Sequence, residues 1–185
     1  MEMNRIKVLD KYFKPYLSNQ EIEEAISNVA ARLNNDMKTE DTPIVLGVLT
    51  GSFMFTSSLM QKLDFPCELS FIKLSSYNGV RSTGSVTQVF GLSTSVSERT
   101  VIITEDIVET GTTMAELSKI LKDAGAAKVK ICALFHKPHA CVKDIKVDYA
   151  AFEIPNDFVV GFGLDYNQMG RQYKDLYVLD PNQDD

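Results

Sequence analysis

Apolar residues along this chain fall into two rhythms. Ile22, Ile26, Val29, Ala30, Leu33 and Met37 recur three or four positions apart, which predicts an amphipathic helix to about residue 37. Just ahead of them, Ser18 and Glu21 stand at capping-box spacing, where a hydroxyl and a carboxylate satisfy free backbone N–H groups of the first turn. Elsewhere the apolar residues run together. Residues 43–49 (PIVLGVL) form a continuous apolar run bounded by turn residues, which is how a strand buried on both faces reads. Residues 101–103 and 129–135 read as further buried strands, 69–74 as another, and 149–152 and 176–179 as short ones. Helices are expected over 53–63, after the Thr50-Gly51 turn, and over 113–124, where Gly125 ends the run. Strand and helix in alternation mean βαβ units, hence an α/β chain with a mainly parallel sheet and helices on both faces. The stretch from Ser75 to Ser97 follows neither rhythm. It is rich in Ser, Thr and Gly, too polar for the core and too long for a routine connection, so it reads as a mobile lid or a long hairpin.

Composition narrows the picture only slightly. With 185 residues the chain suits a single domain, which buries about 70% of its unfolded surface. A hydrophobic fraction of 44% and a net charge of −6 describe an ordinary globular protein without the broad basic face of a nucleic-acid binder. No apolar run reaches the ~18 residues of a membrane span, and Met1-Glu2-Met3-Asn4-Arg5 leads into no secretory h-region. Cys67, Cys132 and Cys141 are scattered and odd in number, which points to a reducing cytoplasm and away from a disulfide framework. His136 and His139 flank Pro138 instead of sharing a helical face, so no zinc site is expected there.

In open parallel sheets ligands bind beyond the carboxyl ends of the strands, and there the chain carries its densest chemistry. After the strand at 101–103 come Thr104-Glu105-Asp106-Ile107-Val108-Glu109-Thr110-Gly111-Thr112-Thr113-Met114. The Gly/Thr turn and the helix start after it present unpaired N–H groups at the positive end of a helix dipole, which suits a phosphate. Glu105 and Asp106 can hold sugar hydroxyls directly or through Mg²⁺, which favours oxygen ligands. A phosphate on the turn with hydroxyls on the acids describes a ribose 5-phosphate.

That segment resembles the phosphoribosyl pyrophosphate (PRPP) signature of type I phosphoribosyltransferases. Three further stretches are similar to segments of the hypoxanthine-guanine phosphoribosyltransferases, in family order between about residues 43 and 180. Residues 49–55 (LTGSFMF) look like the pyrophosphate loop, and Ser75-Ser76-Tyr77 like the start of the catalytic lid. Residues 152–161 (FEIPNDFVVG) and 164–167 (LDYN), ending at Arg171, look like the purine-binding and C-terminal segments.

The resemblance implies the type I phosphoribosyltransferase fold, with a mainly parallel central sheet, flanking helices, a small hood and a flexible lid at about 75–97. It implies Mg²⁺-dependent transfer of the 5-phosphoribosyl group from PRPP to a 6-oxopurine, hypoxanthine first. Homodimers or homotetramers are its usual assemblies, without nucleic acid or membrane partners. By the same resemblance Glu105 and Asp106 engage the ribose hydroxyls and metal, and residues Glu109, Thr110, Gly111, Thr112 and Thr113 cradle the 5-phosphate. Thr50, Gly51 and Arg171 serve the pyrophosphate, and Asp165 holds a second Mg²⁺. In the base-binding segment, about 137–180, Lys137 donates to the 6-oxygen, Phe158 stacks on the purine and the Val159 backbone meets its edge. Ser76 and Tyr77 close over the reacting centre, and Glu109 is the base.

Each of these residues also has a plain structural reading: Phe158 as core, Lys137 as a solvated lysine, Asp165 as a turn cap, Arg171 as a surface ion pair. Two positions depart from the family pattern, Glu109 where aspartate is common and Thr50 where many members carry lysine. The alternatives are a transferase preferring xanthine or guanine, and a non-catalytic nucleotide sensor on the same fold.

Overall fold

Two strands that the apolar pattern did not announce open the fold, β1 (Ile6–Val8) and β2 (Lys11–Leu17). A computed structural model describes residues 4–76, 87–91 and 94–183 of the chain. Helix α1 (Asn19–Asp36) follows, and its capping box is complete: the Glu21 amide donates to Ser18 Oγ at 3.3 Å, and the Ser18 amide to Glu21 Oε2 at 2.8 Å. Then come β3 (Ile44–Leu49), α2 (Phe53–Met60), β4 (Glu68–Ser76) and β5 (Thr87–Phe90). The second half holds β6 (Thr100–Val108), α3 (Thr112–Asp123), β7 (Lys128–His136), a 3-10 turn at Pro138–Ala140, β8 (Tyr149–Glu153), β9 (Val159–Val160) and β10 (Leu176–Leu179).

Strands β4, β3, β6, β7 and β8 run parallel in that order, and β5 adds an antiparallel edge beside β4. Both faces are covered, which explains the continuous apolar runs. Val45, Ile102, Cys132 and Leu134 point to the face closed by α1 and α2. Their neighbours Ile44, Leu46, Val101, Ile103 and Ile131 point to the other, closed by Met114, Leu117 and Leu121 of α3. In the middle of the inner strands alternate residues therefore meet core on opposite faces, and each fully buried Leu or Ile contributes about 1.5–3 kcal/mol. Helix α2 is tied to the sheet by a buried hydroxyl pair, Thr56 Oγ1 to Thr104 Oγ1 at 2.7 Å.

The short strand expected at 176–179 is β10, which lies between β2 and β9 in a separate four-stranded antiparallel sheet, the hood. Two expectations are corrected. The strand expected at 101–103 continues to Val108, so Glu105 and Asp106 lie within its second half and not beyond it. The segment 75–97 is not wholly outside the core: the antiparallel pairing of β5 with β4 fits the long-hairpin reading, but Val96 is buried against the α3 side of the core. Residues 77–86 and 92–93 of that segment lie outside the described residues.

Candidate active site

Three neighbouring strands deliver the chemistry at their carboxyl ends. β3 pairs with β6 only as far as Gly47 and Thr104. Beyond that point the strands part, and the last residues of β6 face an opening. In it lie Glu105 and Asp106. The Glu105 Oε2 atom is enclosed and has no hydrogen-bond partner among the described residues. Burial, and then the Asp106 charge beside it, pushes the Glu105 carboxyl well above the usual range. Burial also raises Asp106, against the opposing pull of its bonds to Glu105 and Ile107 and of the Arg171 charge. The Ile107 amide donates to Asp106 Oδ1 at 3.0 Å.

Gly51 packs directly on this pair. A Cβ there would overlap the Asp106 carboxylate, and a Cβ on Gly163 would strike the Gly51 carbonyl. The Thr50-Gly51 turn is thus clamped between the acids and the loop at 161–171, and only glycine fits both contacts. The Leu49–Thr50 peptide is cis, and Thr50 itself is exposed.

Past β6 the Gly/Thr turn leads into a helix, as its sequence predicts. Gly111 caps α3 in the left-handed region, φ 78°, without a side chain to occupy the first-turn amides. Its neighbour Thr110 turns its hydroxyl inward, toward the Thr112 amide at 3.4 Å. The Thr110 carbonyl accepts from the amides of Val142 and Lys143, and a Gly111 Cβ would meet Cys141 Sγ, so the 141–145 segment braces the turn from behind. A cavity of about 190 Å³ lies over it, walled by Glu105, Glu109, Thr110, Gly111 and Thr113.

Beside this cavity is a second one of about 210 Å³, walled by Asp106, Glu109, Lys137, Phe158, Val159 and Asp165. Glu109 and Ile107 belong to both. Lys137 is not a solvated lysine: it is 6% exposed, and its Nζ donates to Glu109 Oε1 at 2.9 Å. Phe158 is not core either, being 46% exposed over the cavity. Tyr166 meets it edge-on at 5.8 Å and Phe13 packs behind at 6.1 Å. Val159 is buried in β9, opposite Val178. A larger hollow of about 480 Å³, between α3 and residues 144–148, contains none of the predicted site residues.

Asp165 and Arg171 fulfil their plain structural readings while lying at the site. Asp165 Oδ2 accepts from the Gln168 amide at 2.7 Å, and its Oδ1 pairs with Arg171 Nη2 at 2.7 Å. Arg171 Nη1 donates to the Gly163 carbonyl at 2.8 Å. Tyr77 lies outside the described residues, as does the side chain of Ser76. Among the described residues no three His, Cys, Asp or Glu side chains gather as a metal cluster. The donor set suits Mg²⁺ nonetheless, because that ion is commonly held by one or two carboxylates together with substrate phosphates, and Glu105 Oε2 is an oxygen without a partner.

The sequence did not point to Phe13, Tyr166 or the 141–145 brace. Phe13 and the brace carry no motif, and Tyr166, though inside the 164–167 stretch, is given no role by it; each reaches the site only through the hood or a loop crossing.

The phosphoribosyl transferase domain family matches residues 14–167. The hypoxanthine-guanine phosphoribosyltransferase of Lactococcus lactis is 38% identical over 182 residues, covering 98% of this chain and 97% of the relative. That of Bacillus subtilis is 36% identical over 170 residues, 91% and 93% of the two chains. The crystal structure of a hypoxanthine phosphoribosyltransferase from Staphylococcus aureus superposes with a TM-score of 0.84 at 33% identity, covering 91% of each chain. Parallel sheet, hood, and strand ends bearing Glu105, Asp106 and Lys137 make the type I phosphoribosyltransferase fold. The chain belongs to the phosphoribosyl transferase domain family, in its hypoxanthine-guanine phosphoribosyltransferase branch.

Proposed function

We propose that this protein transfers the 5-phosphoribosyl group of PRPP to a 6-oxopurine, hypoxanthine and guanine, releasing a purine mononucleotide and pyrophosphate. The single observation that carries this is the pair of adjoining cavities, one over a helix start, the other over a buried lysine and an exposed phenylalanine, with Glu109 in the wall of both.

On this reading the amides and hydroxyls from Thr110 to Thr113 hold the 5-phosphate, and Glu105 and Asp106 hold the ribose hydroxyls. Glu105 and Asp106 would hold one Mg²⁺ and Asp165 a second, and bound metal would supply Lewis-acid stabilisation of the charge on the leaving pyrophosphate. The turn at Thr50 and Gly51, with Arg171, receives that pyrophosphate. The bond from the anomeric carbon to the pyrophosphate oxygen breaks, the bond to the base nitrogen forms, and the base proton passes to Glu109. Positioned proton transfer of this kind contributes typically 10²–10⁴-fold. Ser76 and Tyr77 close the site and exclude water.

Phe158 stacks on the purine, the Val159 backbone meets its edge and Lys137 donates to the 6-oxygen. Adenine brings an amino donor against the Lys137 donor, which leaves both unmatched. The reading includes one domain over residues 1–185, a cytoplasmic location and a homodimer or homotetramer. Among the described residues no helix is long and apolar enough to cross a membrane.

Initial rates with PRPP and Mg²⁺ on hypoxanthine, guanine, xanthine and adenine in parallel test it. Turnover of the first two, with adenine inert, is the expected result. Xanthine alone turning over would sink the base assignment, and binding of PRPP without turnover of any base would favour the sensor.

A further inference from the structure

We infer that Asn156 is a specificity-determining positioning residue, which with Glu109 fixes the Lys137 ammonium so that its remaining N–H faces the base. This rests on the reading of the second cavity as the base site.

The arrangement is built by the sheet. β6, β7 and β8 are parallel neighbours, in register at Val108↔His136 and His136↔Glu153. Glu109 is one residue past the end of β6, Lys137 one past β7, and Asn156 three past β8. Backbone bonds hold the three ends together: the Lys137 amide donates to the Val108 carbonyl and the Ile154 amide to the His136 carbonyl, both at 2.9 Å. Pro155 then fixes the chain direction into Asn156.

An ammonium has three donors in a roughly tetrahedral set. On Lys137 one goes to Glu109 Oε1 at 2.9 Å and a second to Asn156 Oδ1 at 3.4 Å. No third protein acceptor is present among the described residues, and Lys137 lines the cavity. Two fixed donors aim the third. Glu109 alone would leave the head free to rotate about one bond, and Glu109 must also receive the base proton during turnover. Asn156, neutral and outside that exchange, keeps the ammonium aimed while Glu109 changes state. Asn156 is itself exposed on the outer side, so its replacement leaves the core intact. It lies within the family-like stretch 152–161, but neither periodicity nor the resemblance gives it a role, because it sits in a short loop between β8 and Phe158.

The test is a double-mutant cycle of Asn156→Ala with Lys137→Ala, reading KM for hypoxanthine, KM for PRPP and kcat, with Asn156→Asp as the conservative control. Asn156→Ala alone is expected to raise the hypoxanthine KM roughly fivefold to tenfold, with the PRPP KM and melting temperature unchanged. In the Lys137→Ala background the same change is expected to do nothing further. Asn156→Asp, which keeps an acceptor, is expected to stay within about twofold of the wild type. Equal rises in both KM values, or an undiminished effect in the Lys137→Ala background, would overturn the inference while leaving the proposed reaction intact. A wild type unable to turn over any 6-oxopurine would overturn both.

Discussion

The two ends of the site are made of different material. The proposed phosphate end is largely backbone: a left-handed glycine at the start of α3, amides of the first turn, and Gly51 pressed between the Asp106 carboxylate and Gly163. The proposed base end is made of side chains: a buried lysine held by Glu109, and a half-exposed phenylalanine steadied by Tyr166 and Phe13. On that proposal, backbone groups recognise what every PRPP molecule shares and tolerate change in the side chains around them, and side chains read what differs between bases. Substitutions should therefore divide cleanly, those at the phosphate end moving PRPP use and those at the base end moving base use.

The largest effect is expected from Gly51→Ala. Its methyl group would enter the Asp106 carboxylate, and displacing the acid or the turn by about 1 Å costs on the order of a hundredfold in kcat/KM for PRPP. Steady-state kinetics with each substrate varied in turn check this, and an unchanged PRPP parameter would break the division. Next comes Phe158→Ala, expected to raise the base KM about tenfold through lost stacking, with PRPP KM constant.

A smaller effect concerns pH. Glu105 is pushed above its ordinary range by burial, so between the unfolded value near 4.3 and its raised folded value the native protein binds more protons than the unfolded chain. Its ionisation therefore destabilises the protein without ligand as pH rises. The melting temperature of the wild type, minus that of Glu105→Gln, is expected to fall between pH 5 and pH 8. Calorimetry at both values measures it, and a difference that rises with pH would contradict the burial of this acid. The smallest effect is that of Thr50→Lys. Thr50 is exposed, so an added cation beside the pyrophosphate should lower the PRPP KM only about threefold, and more steeply at low ionic strength.

The same division governs what the sequence revealed. The parallel sheet was legible because burial on both faces leaves continuous apolar runs such as residues 43–49, and α1 because its cap and its apolar face agree. The Gly/Thr turn before α3 was legible because its glycine, threonines and neighbouring acids all fall within residues 105–113. The hood was expected through family likeness alone: β1 has only three residues, and β2 contains Pro15, which pairs with Tyr177 beside a register shift, so neither left an apolar rhythm. At the base end, Lys137 and Phe158 were found through family likeness and read locally as solvated lysine and core, the reverse of their observed burial. Partners such as Asn156 and Tyr166 arrive from loops whose polar sequence carries no period, and only the register of the strands brings them together.

The most direct measurement is the product balance of one incubation containing hypoxanthine, PRPP and Mg²⁺, with mononucleotide identified by mass spectrometry and pyrophosphate counted separately. Equimolar inosine monophosphate and pyrophosphate, abolished by EDTA and absent with adenine, is the expected outcome. Pyrophosphate released without mononucleotide, or PRPP bound and recovered intact, would contradict the proposed transfer.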